Sequence, residues 1–395
     1  MRILLLCLLM WLEVPARAWT LGQAQALAQA VAGASAEGLD PALFAPETLA
    51  AAMAGGEGPA LDSVADGLFR KLASAYAAGV VPREQRKAWH LPGRDGPTAA
   101  DAALAQVRAG AAPDEVLARL LPGDPAYQAL RAAYAATPPA ETGRRTTLAV
   151  NMERWRWLPP VPSGRLVWVN VPAFSLHVLE DGRDVRVHRL IVGKPRTPTP
   201  QFATKADAVI LNPDWVVPAS IQKEGIAQMV ARNPAAARAK GYVRTPTGIT
   251  QLPGPANQLG AMKLRMPNPY GVYIHDTPAK SLFARQKRAL SHGCMRVELP
   301  LVLADALLGP ASPGLEALQA RVKTARTETL PLPAPVPLWV VYLTAVPGPE
   351  PGGVRLLPDV YGRDAAVAEA LRGRPRAAVA GAPLLSSECS EVQAA

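Results

Sequence analysis

Apolar residues at Leu61, Val64, Leu68, Leu72 and Tyr76 recur at steps of three and four, a spacing that predicts one amphipathic helix, ended by Gly79 and Pro82. A second helix is expected to start at Pro113-Asp114-Glu115, where proline suits the first turn and the acids face the positive end of the helix dipole. It stops before Pro122-Gly123. A third helix runs through Tyr127, Leu130 and Tyr134 to Pro138-Pro139. Ala-rich residues 19–144 therefore read as a small all-α module whose Asp and Glu residues sit on solvated faces. After Arg145 the period changes. Leu166 to Val171 and Ser175 to Leu179 alternate as strands, and Asp181-Gly182 between Leu179 and Val185 is a two-residue hairpin signal. Val209 to Leu211, Val272 to Ile274 and Leu338 to Leu343 are further short apolar runs bounded by Pro, Gly and Asn, with one helical stretch around Leu301 to Leu308. The fold class expected is α+β: an all-α N-terminal module, a mainly β domain over 145–365, and a flexible tail over 366–395.

Length and composition narrow this picture. The 395 residues suffice for two or three domains, and 41 prolines with 31 glycines fall short of a low-complexity chain. Residues 1–18 place Arg2 before an apolar run from Ile3 to Leu12 and end in Ala16-Arg17-Ala18, the layout of a signal peptide. That run is half of the roughly 20 residues that span a bilayer, so no stable membrane anchor is expected. Leu6 ahead of Cys7 does not fit a lipoprotein signal. Export to the periplasm or cell envelope is expected, which removes nucleic acid as a partner for the net charge of +10. Resolved along the chain, residues 19–144 are net −3 and residues 145–310 net +12, so the basic character belongs to the β region.

Three cysteines make neither a disulfide framework nor a four-cysteine zinc ribbon. Cys294 and Cys389 remain after export, either as one disulfide tying down the tail or with Cys294 kept free for chemistry. Gly271 to Val297, GVYIHDTPAKSLFARQKRALSHGCMRV, holds Cys294 with His275 and His292. A thiol with a pKa of roughly 8.5 needs a neighbouring imidazole to take its proton. Gly293 lets a substrate carbonyl approach the main chain, so the Gly293 and Cys294 amides are candidates for an oxyanion hole. A zinc site from His275, His292, Cys294 and Asp276 matches no common spacing, and no metal or other cofactor is expected. His177 and His188 read as plain sheet residues on the two hairpin arms, and His90 carries no functional signal.

SHGCMR with the upstream HDTP resembles the signature of the YkuD-type L,D-transpeptidases. NMERWRWLP (151–159), VNVPAFSL (169–176), IVGKP (191–195), NPDWVVP (212–218) and YLTA (342–345) resemble successive blocks of the YcbB-like subgroup, over roughly residues 145–365. The resemblance implies a β-sandwich-like catalytic domain with Cys294 as nucleophile, His275 as general base and acid, and Gly293 as an oxyanion-hole amide. It also places Arg296, Tyr273, Trp215, His292 and Ser291 along the substrate cleft, Arg296 holding a carboxylate or bracing the loop. The implied reaction cleaves a peptidoglycan stem tetrapeptide through a cysteine thioester, releases D-alanine and passes the acyl group to an amine. Two departures accompany the match. The peptidoglycan-binding domain of the larger relatives is missing between Ala136 and Leu148, and the segment 241–267 is shorter than their capping region, which implies a more open cleft. An L,D-carboxypeptidase using water, or a non-catalytic wall-binding module, are the alternatives. A monomer is expected, with a penicillin-binding protein as a candidate partner.

Overall fold

The structure is a computed structural model that describes residues 18–246, 248–350 and 352–373. Residues 1–17, where the signal peptide and Cys7 were expected, and the tail from 374 with Cys389 lie outside the described residues. Among those described, no single helix is long and apolar enough to cross a membrane.

The chain forms two compact units. The helical unit takes residues up to Val80, Gly93–Trp157 and a short segment from Glu369; the β-rich unit takes Val81–Pro92 and Leu158–Ala368. In the helical unit, α1 (Leu21–Gly33), α2 (Pro46–Ala54), α3 (Pro59–Ala78), α4 (Gly96–Arg108), α5 (Pro113–Ala118), α6 (Pro125–Ala136) and α7 (Thr142–Arg156) follow in order. The three helices expected from periodicity correspond to α3, α5 and α6. Thr20 and Gln23 close a capping box at the start of α1, while Asp95 and Asp124 accept the exposed amides that open α4 and α6.

Two expectations are corrected here. The module does not end at residue 144, because α7 packs with the helices before it and its last turn is wholly buried. Nor are all its acids solvated. Glu153 and Arg156 are fully buried and paired at 2.9 Å. Tyr127 donates to Glu37 at 2.7 Å, and Arg156 donates to Tyr127 Oη at 3.2 Å and to the Glu37 carbonyl. Trp157 Nε1 donates to the other Glu153 oxygen at 3.0 Å. A buried charge pair contributes little net stability when complete, yet removing one member typically costs about 3–5 kcal/mol.

The β-rich unit is built on eight strands: β1 (Arg165–Asn170), β2 (Ser175–Glu180), β3 (Arg183–Gly193), β4 (Gln201–Leu211), β5 (Met262–Arg265), β6 (Ile274–His275), β7 (Met295–Val297) and β8 (Glu328–Val341). Their ladder runs β4-β8-β1-β2-β3-β7-β6-β5 and returns from β5 to β4. The sandwich-like domain is thus one mixed sheet closed on itself, parallel at β8–β1 and β6–β7 and antiparallel elsewhere. Asp181 (φ 47°) and Gly182 (φ 77°) make the hairpin turn that the sequence predicts.

Trp89–His90 adds to β4 as a parallel strand, so the segment 81–92, expected in the helical module, belongs to the sheet. Two residues carry no periodic signal. Helices also exceed the one expected: besides Pro300–Leu308, Leu315–Lys323 and Asp364–Leu371 form, the last burying Val367, Ala368 and Leu371 where a loose tail was expected. Between β4 and β5 the chain builds a cap. It comprises a three-stranded sheet (Trp215–Val216, Gly248–Gln251, Tyr242–Thr245) and short helices from Ala219 to Ala239, broken at Glu224 and Gly225 (φ 109°).

Candidate functional site

The site follows from strand period. β6 and β7 are parallel with Ile274 opposite Met295 and His275 opposite Arg296. Alternation then sends Ile274 and Met295, both 0% exposed, into the core, and leaves Tyr273, His275, Cys294 and Arg296 on the other face. That face lines a cleft of about 240 Å³, together with Trp215, Ser291 and His292. Every side chain placed at the site from the sequence thus borders one cavity, apart from Gly293, which contributes backbone. Cap residues Ile221, Glu224, Ile226 and Tyr242 complete the walls. Cys294 and His275 lie deep in this cleft, only 6% and 5% exposed.

Burial pushes the His275 imidazole from its ordinary value down to about 3, reinforced by the charges of Arg296 and Lys263. The Asp276 carbonyl favours the charged form but does not reach hydrogen-bond geometry with Nδ1, which makes no hydrogen bond. His275 is therefore neutral in this state. Tyr273 meets the imidazole edge-on at 5.4 Å, and Lys263 Nζ lies 4.3 Å from the Tyr273 ring centre. The Asp276 carboxylate does not orient His275. It accepts the Ala261 amide at 2.8 Å and pairs with Lys280, filling the space beside Gly260.

Cys294 Sγ lies 3.9 Å from the Gly271 carbonyl oxygen. The Ser291 hydroxyl donates to the Cys294 carbonyl at 2.5 Å and accepts the Gly293 amide at 3.2 Å, so that amide is engaged rather than directed at the cleft. Gly293 sits at φ 120°, a conformation that glycine alone adopts readily. Arg296 is mostly buried, its Nε makes no hydrogen bond, and burial lowers its pKa. A guanidinium of this kind is a ready partner for a carboxylate. His292 borders the same cleft but its Nε2 is engaged elsewhere, 2.9 Å from Glu224 Oε1 and 3.3 Å from Lys194 Nζ. With Asp276 and His292 so committed, the four residues of the zinc alternative do not converge, and no group of three metal-ligating side chains gathers among the described residues.

Thr199, Tyr361 and Glu224 were not foreseen. Thr199 Oγ1, wholly buried, donates to the Gly293 carbonyl at 2.7 Å and accepts the Gly193 amide at 2.9 Å. Tyr361 donates to the Gly193 carbonyl at 2.7 Å and accepts the Thr199 amide at 3.2 Å. The glycine of IVGKP has a physical cause: a Cβ on Gly193 would stand 2.2 Å from the Thr197 carbonyl oxygen. His188, read as a plain sheet residue, donates from Nδ1 to the Glu298 carbonyl at 2.9 Å on β3, and it does not line the cleft.

Residues 164–325 match the L,D-transpeptidase catalytic domain, and residues 15–133 match the Scaffold domain. A putative L,D-transpeptidase of Haemophilus influenzae is 31% identical over 237 residues, which is 55% of this chain and 48% of that protein. The chain thus spans about half the length of this curated relative. An L,D-transpeptidase from Mycobacterium smegmatis aligns over 46% of this chain and 60% of its own, at 19% identity and a TM-score of 0.25. L,D-transpeptidase 1 of Mycobacterium tuberculosis aligns over 45% and 61%, at 15% identity and a TM-score of 0.20.

Proposed function

We propose, from the premise that residues 164–325 are an L,D-transpeptidase catalytic domain of the YkuD family, that this protein is an exported cysteine acyltransferase acting on peptidoglycan stem peptides. The observation that carries the reading is the shared face of β6 and β7, which sets thiol, imidazole and guanidinium along one covered cleft. Cys294 is the nucleophile and His275 its proton acceptor. A base held near 3 is weak, and a stem carboxylate on Arg296 would offset one of the two charges that depress it, raising the imidazole's proton affinity as substrate binds.

In the first half-reaction the Cys294 sulfur attacks the carbonyl carbon of the third stem residue. The C–N bond to D-alanine breaks, and His275 returns the thiol's proton to the leaving amine. In the second, an amine from another stem attacks the thioester, the C–S bond breaks, and a cross-link between third-position residues forms. The Gly293 amide joins an oxyanion hole when Ser291 Oγ releases it. The excess of basic residues over 145–310 attracts the stem carboxylates, so wall binding weakens as salt rises.

Incubating the mature protein with tetrapeptide muropeptides and resolving the products by mass spectrometry tests this reading. Cross-linked dimers are expected from the unaltered protein and none from Cys294→Ala. Shortened stems without dimers would establish the carboxypeptidase instead. A carbapenem is expected to add its mass at Cys294; no adduct there, or unchanged wall modification by Cys294→Ala, would refute Cys294 as the nucleophile.

A further inference from the structure

The His275–Cys294 pair accounts for cleavage of the donor stem, but it does not choose between an amine and water as the second acceptor. At neutral pH an alkyl amine arrives as an ammonium ion, so preference for it over water needs a negative group near the thioester. Arg296 and Lys263 are positive there, and the Asp276 carboxylate is spent on Ala261 and Lys280. Among the described residues, Glu224 is the only carboxylate that borders the Cys294 cleft.

Three observations single it out. It also borders a second cavity of about 560 Å³, whose walls include Met229, Lys240 and Gln251. Glu224, Ile226, Tyr242 and Gln258 are common to both, so Glu224 stands where the two cavities meet. Second, its side chain is 54% exposed, and its Oε1 is held 2.9 Å from Nε2 of His292, two residues from the nucleophile. Third, it sits at the break in the cap helices beside Gly225, where the non-helical backbone aims a side chain that a continuous helix would carry elsewhere.

We infer that Glu224 is the residue that selects an amine acceptor, by receiving the ammonium group of a stem peptide that enters through the second cavity. Lys240, on the wall of that cavity, supplies the complementary charge for the same peptide's carboxylate. A ligand with both charges is thereby oriented, ammonium toward Cys294, and water gains nothing from either contact. The ammonium releases one proton to solvent past the Glu224–His292 pair and the free amine attacks the thioester carbonyl. The C–N bond forms, the C–S bond breaks, and the second amine proton passes through His275 to the departing sulfur. This rests on the transpeptidase reading above and adds to it the group that makes the acceptor an amine.

The test is a partition measurement. The full-length protein and its Glu224→Gln and Glu224→Asp variants are given tetrapeptide muropeptides, and dimers and shortened stems are counted by mass spectrometry over a range of acceptor concentration. Glu224→Gln is expected to lower the ratio of dimer to shortened stem about tenfold and to raise the acceptor KM, the scale of one lost charge-assisted hydrogen bond. Glu224→Asp should recover part of the ratio. An unchanged ratio, or dimers and shortened stems falling together without recovery in Glu224→Asp, would overturn the inference, since a residue that only holds the cap affects both products alike. An unaltered protein that releases no D-alanine would instead overturn the transpeptidase reading on which the inference stands.

Discussion

Replacing Thr199 with valine isolates what a single hydroxyl does for the nucleophile loop. Valine keeps the shape, so the wholly buried site gains no cavity and only the two hydrogen bonds vanish. These are Gly193 N–H to Oγ1 at 2.9 Å and Oγ1–H to the Gly293 carbonyl at 2.7 Å. Both glycines are buried, so an amide and a carbonyl are left unsatisfied together. Each such group costs about 1–3 kcal/mol, and about 2–4 kcal/mol is expected for the pair after crediting the desolvation of the lost hydroxyl. The same change frees Gly293, at φ 120°, from its anchor immediately before Cys294. Urea unfolding should report the stability loss, and the rate of β-lactam acylation at Cys294, measured well below the transition, should fall. Thr199→Ser is the control. It keeps the hydroxyl and loses a methyl group, so it should lose about 1 kcal/mol and most of the acylation rate should survive. A loss under about 0.5 kcal/mol in Thr199→Val, or equal acylation rates in the two variants, would refute the reasoning.

His275→Ala is expected to slow acylation by a carbapenem far more than His292→Ala, because His275 shares the Cys294 face whereas His292 turns to Glu224; rates from intact-protein mass spectrometry decide it. The depressed His275 pKa also sets a pH dependence: the unfolded imidazole binds a proton below about 6.5 and the folded one only near 3. Stability is therefore unaffected above pH 6.5 and falls by about 1.4 kcal/mol per unit between roughly 6.5 and 3. Urea titrations at pH 6.5 and 4.5 should show a smaller drop in His275→Asn than in the parent chain. In the helical unit, a Cβ on Gly79 would stand 2.3 Å from Glu153 Oε1 at φ 84°. Gly79→Ala should destabilise that unit by more than about 2 kcal/mol in thermal or urea melts, by strain and by disturbing the Glu153–Arg156 pair.

What sequence reasoning reached and missed divides by the range of the contacts. The α3 face and the Asp181-Gly182 turn are local patterns, so periodicity and turn chemistry find them. Closure of the sheet depends on β5 returning to β4 across some fifty residues, which no local pattern encodes. α7 escaped because Asn151, Glu153, Arg154 and Arg156 are buried beside Leu148, Val150, Met152 and Trp155, so polar and apolar residues do not segregate by face. At the site, Cys294 and His275 were legible because their residue types carry the chemistry. Thr199 was not, because a threonine in a Pro-rich turn gains its role only from where Gly293 folds against it. Glu224 was hidden likewise, 68 residues before the histidine it meets.

Among the described residues the chain passes between its two units four times, at 80/81, 92/93, 157/158 and 368/369. No single cut separates them. A fragment beginning at Leu158 lacks Trp89–His90, and so leaves part of β4 without a partner along the backbone of Gln201 and Phe202. Trimming the protein to its sequence-matched catalytic segment would expose a strand edge that the intact chain covers, and with it a template for self-association. The segment that recognition by sequence assigns to catalysis, 164–325, is thus shorter than the piece that should be expressed to study it.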